Sequence, residues 1–228
     1  MKILSKSLSI LLTLFFVLSA FIPQTHAATV NIKKSRVSYT LKDSNGVKYS
    51  IYMIPTSEQM AKGSFNDKYG WDSVWAGVSE GDTLYHGNYK LYMSKLGSKN
   101  VAYTGIQLND YTYNASRKMI YSLPSKYKGQ PDLFIIAETE SSNFESGSIY
   151  YALNGKLKKA KDSFGYTLRP QNIGKNLFRT AGYNNADGKW YIGDYKFNVA
   201  TGQLSETQML SKRVNVDSFV KSWRKDWR

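Results

Sequence analysis

The chain has 228 residues, with 31 Lys and Arg against 17 Asp and Glu, two histidines and no cysteine, for a formal net charge of +14. The missing cysteines exclude a disulfide framework, a thiolate metal site, a cysteine nucleophile and a lipidated N-terminal cysteine. A positive excess of this size points to anionic partners: acidic wall polymers, anionic lipid or extracellular nucleic acid.

Residues 1–27 read as a secretory signal peptide. Lys2 and Lys6 form its positive start, "LSILLTLFFVLSAFI" (Leu8–Ile22) is the apolar run, Pro23 breaks it, and "THA" (Thr25–Ala27) offers a cleavage site before Ala28. The run falls short of the ~18 residues of a spanning helix, and no later segment comes nearer, so no membrane span is expected after cleavage. Residues 28–228 are then expected as a single exported β-rich domain. Loss of Lys2 and Lys6 leaves 29 basic against 17 acidic residues, a net charge of +12, and leaves His86 as the sole histidine. An exported chain without cysteine favours a bacterial source.

Successive side chains of a strand point to opposite faces, so apolar–polar alternation marks a sheet with one wet side. "YTLKDSNGVKYSIYM" (Tyr39–Met53) is such an alternation around Asn45-Gly46, a dipeptide suited to the positive φ of a tight hairpin. "SEQMAKG" (Ser57–Gly63) reads as a short helix. Strands are expected at "SVWAGV" (Ser73–Val78), "YKLYM" (Tyr89–Met93), "VAYTGIQL" (Val101–Leu108), "KMIYSL" (Lys118–Leu123) and "DLFIIAE" (Asp132–Glu138). Two more hairpins follow, "SIYYALNGKLKKA" (Ser148–Ala160) around Asn154-Gly155 and Arg179–Val199 around Asp187-Gly188, the latter leading to Thr201-Gly202. The 18 Tyr, ten Phe and five Trp agree with sheets, on whose pleated surface aromatic side chains pack well.

The last segment breaks the alternation. In "VNVDSFVKSWRKDWR" (Val214–Arg228), Val216, Phe219, Val220, Trp223 and Trp227 fall at helical spacing, with Asn215 or Asp217 as cap and Arg224, Lys225 and Arg228 where the helix dipole favours cations. A short amphipathic helix is expected over about 215–228. Its apolar stripe either docks on the sheet or lies on a membrane, and docking is the ordinary fate of such a stripe.

A larger register runs through the chain. Units starting at Ser73, Asp132 and Asn176 each give an apolar strand, a gap, a glycine, an aromatic strand and a turn. "YYALNGKL" and "YKFNVATGQL" resemble the strand–turn–strand signature of PQQ-type β-propeller blades, over about a dozen residues per unit. The Trp that closes such blades is missing and the spacing is irregular. The resemblance implies a propeller-like arrangement of blades and no particular function, since propellers host many. The fold class is therefore mainly β, built of antiparallel hairpins or a meander, with propeller-like and sandwich closures both open.

Chemistry is sparse in this sequence. With no cysteine and one mature histidine, neither a transition-metal site nor another cofactor is expected. "NNADG" (Asn184–Gly188) resembles a calcium loop, but Tyr183 stands where an oxygen ligand is required, and an Asp-Gly hairpin accounts for it. His86 lacks a G-x-S-x-G partner motif and reads as a strand-end residue. Glu138 and Glu140 share one face of a strand and are the candidate acid–base pair, against the ordinary reading of a solvated strand face. Trp71 and Trp75, in "YGWDSVW", are the candidate stacking platform for a sugar or base. Lys212, Arg213, Lys221, Arg224, Lys225 and Arg228 are the candidate anion-binding residues. These features favour an exported, non-enzymatic, cell-envelope-associated protein that binds anionic cell-wall polymer or glycan. The alternatives are a secreted glycan hydrolase using Glu138 or Glu140, and a membrane-active or nucleic-acid-binding protein led by the C-terminal helix.

Overall fold

The computed structural model describes residues 30–226. The segment expected as a signal peptide lies outside them, as do Trp227 and Arg228. Twelve strands form three four-stranded antiparallel sheets, each a meander in which chain neighbours pair. Sheet 1 holds β1 (Val37–Lys42), β2 (Lys48–Lys62), β3 (Thr83–Lys95) and β4 (Ala102–Asn114). Sheet 2 holds β5 (Ile120–Leu123), β6 (Leu133–Ser141), β7 (Phe144–Leu153) and β8 (Lys156–Tyr166). Sheet 3 holds β9 (Leu168–Gly174), β10 (Leu177–Asn184), β11 (Lys189–Asn198) and β12 (Gln203–Lys212). Helix α1 (Val216–Trp223) and a 3-10 turn (Arg224–Asp226) end the described chain.

The expected hairpin signals act where they were placed. Asn154 and Gly155 both take positive φ, 50° and 74°, which matches the backbone twist of the strands they join. Asn45-Gly46, Asp187-Gly188 and Thr201-Gly202 turn β1 into β2, β10 into β11 and β11 into β12. At the "NNADG" turn the Asp187 carboxylate is engaged locally, accepting from Tyr191 Oη at 2.7 Å and the Lys189 N–H at 3.1 Å.

The sheets stack face against face, and alternation decides which residues meet. From the middle sheet, Phe134, Ile136 and Tyr150 pack with Leu41, Ile51, Met53 and Leu91 of sheet 1. Their neighbours Leu133, Ile135, Ile149 and Tyr151 point the other way, against Phe178 and Phe197 of sheet 3. A strand covered on both sides carries no polar face, which is why β6 opens with the unbroken apolar run "LFIIA". The outer face of sheet 3, with Leu168, Ala181, Trp190 and Ile192, is covered by Phe219, Val220 and Trp223 of α1. The described strands thus form an open stack with no closed barrel. The units beginning at Asp132 and Asn176 each coincide with the central pair of a meander, β6–β7 and β10–β11.

Three local expectations are corrected. "SEQMAKG" is not helical: Ser57–Lys62 extends β2 and pairs residue by residue with Thr83–Asn88 of β3, and this ladder outweighs local helix propensity. "SVWAGV" is not a strand. It belongs to the 63–82 connection, whose ladder contact is a single bridge between Ser64 and Ser73. The first meander's equivalent of the other two units is consequently β2–β3, and not the segment from Ser73. Helix α1 is shorter than expected, ending at Trp223. Asn215 caps it, its side chain accepting from the Ser218 N–H at 3.0 Å.

Candidate functional site

Two surfaces gather polar and aromatic side chains. The first lies beside the 63–82 connection, which a buried carboxylate organises. Asp72, 4% exposed, accepts from the Tyr69 N–H at 2.8 Å and the Lys68 N–H at 3.1 Å. Burial alone would raise its pKa, but these backbone donors outweigh burial and hold it below the ordinary carboxyl value. Asn114 of β4, buried, ties the connection down, donating to Gly77 O at 3.1 Å and Asp82 Oδ2 at 2.7 Å. Gly77 has φ 83°, and a Cβ there would sit 2.4 Å from Thr139 Oγ1, so only glycine allows the chain to lie this close to β6.

The knot sets out a row of parallel rings. Tyr69 stacks on Trp71 at 5.2 Å and 3°, and Trp71 stacks on His86 at 5.0 Å and 10°. His86 in turn is fixed by both nitrogens: Nε2 lies 2.9 Å from Asp110 Oδ1 and Nδ1 lies 2.9 Å from Thr112 Oγ1. His86 therefore lies within β3 as a positioning residue for the Trp71 ring. Against this row opens a cavity of about 460 Å³ lined by Trp71, Trp75, Asp110, Thr112, Asn114 and Glu138 among others. Trp75 is 71% exposed, so most of its indole faces solvent. Trp71, Trp75 and Glu138 are brought together here. Glu140, exposed on the same face of β6, does not line the cavity.

The second surface runs along the first strands of the three sheets. One depression of about 370 Å³ is lined by Tyr39 of β1, Tyr121 and Ser122 of β5, Arg169 and Asn172 of β9, with Lys118 and Lys126 from the flanking loops. Lys118 and Arg169 also line a smaller neighbour of about 120 Å³ that adds Arg117 and Arg224, with Glu145 as its one carboxylate. Lys126 is shared with a third, of about 550 Å³, that adds Lys42 and Lys128. Through these shared residues the three lie next to one another as a basic groove, whose third part also carries Asp43. The Arg169 guanidinium lies 4.4 Å from the Tyr121 ring centroid and donates to Lys118 O, which fixes the charge over the groove. Both polar atoms of the Asn172 amide are buried there with no hydrogen-bond partner among the described residues.

Of the cationic candidates read from the sequence that lie among the described residues, Arg224 reaches this groove, and Lys212, Arg213, Lys221 and Lys225 do not line it. Lys212 lies over the Phe219 ring at 5.3 Å, Arg213 donates to Asp187 O at 3.1 Å, and Lys221 and Lys225 are exposed on the helix and the turn after it. The Phe219, Val220 and Trp223 part of the helix stripe is docked, with Trp223 5% exposed and its indole N–H donating to Arg169 O at 2.8 Å, whereas Val216 stays 40% exposed. Arg117, Lys118, Lys126, Arg169 and Asn172 were not singled out as binding residues from the sequence. The adjacency of Arg117 and Lys118 and the "SKYK" run were the visible signals, and nothing local marks Arg169.

Among the described residues there is no group of three or more His, Asp or Glu that could hold a metal ion. No described helix is long and apolar enough to cross a membrane. Comparison with family models, with curated proteins and with solved structures gave no match to the chain.

Proposed function

We propose that the protein is an exported binding module that holds an extended polyanion of the cell envelope in the groove along β1, β5 and β9. The observation that carries this reading is that three neighbouring depressions share the cations Lys118, Arg169 and Lys126. A single small anion needs one such depression, whereas several neighbouring depressions that each carry cations suit a chain of phosphates or carboxylates. The net charge of +12 on residues 28–228 would draw such a polymer in, and the groove would set its register.

The test is co-sedimentation and calorimetry of residues 28–228 with a glycerol-phosphate polymer and with cell walls stripped of it. A Lys ammonium about 4 Å from a phosphate in water is worth roughly 1 kcal/mol. Lys118→Ala with Lys126→Ala should therefore weaken binding about 30-fold at low salt, from roughly 2 kcal/mol in all. Added salt should narrow that gap as screening sets in over ~10 Å. Equal affinity of the double variant and the parent would sink the groove as the site.

A further inference from the structure

We infer that the cavity beside Trp75 is a second binding site, for an uncharged pyranose ring, separate from the basic groove. On residues 28–228, of net charge +12, this cavity is lined by two carboxylates, Asp110 and Glu138, and by no Lys or Arg. An anionic polymer would be repelled there. Sugar hydroxyls, in contrast, donate readily to carboxylates, and Thr112 adds a hydroxyl beside them. The axial C–H face of a pyranose is apolar and stacks on an indole, and Trp75 presents its ring 71% exposed at the cavity's edge.

Rigidity supports the assignment. An exposed indole on a loose loop would lose much of its binding energy to ordering. Here the segment carrying Trp75 is tied on both sides, by the Asp72 knot and by Asn114 bonded to Gly77 O. Trp71, held between Tyr69 and His86, forms a fixed wall of the same cavity. The ring row thus acts as scaffold and Trp75 as the contact. A cavity of about 460 Å³ accommodates one or two sugar units and not a long chain. A wall polymer that alternates anionic groups with neutral sugars would meet both surfaces, but neither site requires the other.

The experiment is titration of residues 28–228 with three soluble oligosaccharides, followed by Trp fluorescence and by saturation-transfer NMR. The probes are a tetramer of N-acetylglucosamine, a tetramer of β-linked glucose and a tetramer of galacturonic acid. Saturable binding of either neutral probe, little changed by salt and weakened at least tenfold in Trp75→Ala, is expected. The side chain of Trp75 is largely exposed, so this variant should melt with the parent, and Trp75→Phe should restore part of the binding. The assignment is overturned if the galacturonate tetramer binds best, if Trp75→Ala binds the neutral probes as the parent does, or if no neutral probe binds. Binding of Trp75 to anionic lipid vesicles without any sugar binding would also overturn it, in favour of a membrane contact. Lys118→Ala with Lys126→Ala should leave the neutral titration unchanged, which separates failure of this site from failure of the groove.

Discussion

Replacing Trp223 by alanine tests whether α1 is a structural cover for sheet 3. The side chain is 5% exposed and lies in a cluster with Leu168, Ala181, Trp190 and Ile192, while the Phe219 ring packs, tilted, between Trp190 at 4.7 Å and Trp223 at 5.6 Å. Truncating a buried Trp costs about 3–5 kcal/mol, including the cavity left behind. The lost indole bond to Arg169 O, worth about 1 kcal/mol, places the effect in the upper part of that range. An eight-residue helix does not hold itself together in water, so once Trp223 is gone Phe219 and Val220 lose their seat as well. For a chain of this size each kcal/mol moves the melting temperature by about 2–4 °C, so a drop of roughly 6–20 °C is expected. Thermal melts of residues 28–228 followed by far-UV circular dichroism read this directly. Trp223→Phe keeps most of the apolar contact and should lose less than half as much. Because Arg224 follows the helix into the groove, Trp223→Ala should also weaken polyanion binding at temperatures where the sheets remain folded. A melting temperature within 2 °C of the parent would refute the docked helix, and would return Trp223 to the role of a surface or membrane contact.

Two further outcomes are expected. Asn172→Val removes an amide whose two polar atoms are buried without partners among the described residues, so stability should rise by about 1 kcal/mol, or ~2–4 °C; a fall in melting temperature would show that the amide serves the fold instead. The Asp72 carboxyl has a folded pKa below the ordinary value of 3.8, so its contribution is present above that value and is lost as pH falls through the folded one. Acidification below about pH 4 should therefore loosen the 63–82 connection first, seen as a change in Trp fluorescence before the sheets unfold; Asp72→Asn should show the loosened signal already at neutral pH, and an identical acid profile in parent and variant would contradict the knot.

Much of the local architecture was legible because its causes are local. Asn154-Gly155 forces a tight turn through the φ values that those residues tolerate, wherever the strands lie. The spacing of Phe219, Val220 and Trp223 makes an apolar stripe only as a helix, and Asn215 caps it within its own segment. The segments that misled were those whose state is set by a distant partner. Ser57–Lys62 has a helix-tolerant composition and is a strand because Thr83–Asn88 pairs with it. "SVWAGV" has the composition of a strand, but no strand partner lies beside it beyond the bridge at Ser73.

The same distinction applies to the sites. Composition alone set the positive charge, excluded cysteine chemistry and made the chain rich in aromatic strands, since these depend only on which residues are present. Periodicity set the strands, the turns and the helix, since side-chain direction repeats with the backbone. The tertiary structure alone decided that Arg117, Arg169 and Arg224 line one depression and that Lys126 joins Arg169 in its neighbour, because stacking the three meanders brings their first strands side by side. It also decided that Trp71 and Trp75 meet Glu138, because Gly77 lets the 63–82 connection press against β6 of the next sheet. Residues so far apart along the chain carry no joint signal in a single sequence; only the packing of sheet on sheet puts their charges and rings within reach of one ligand.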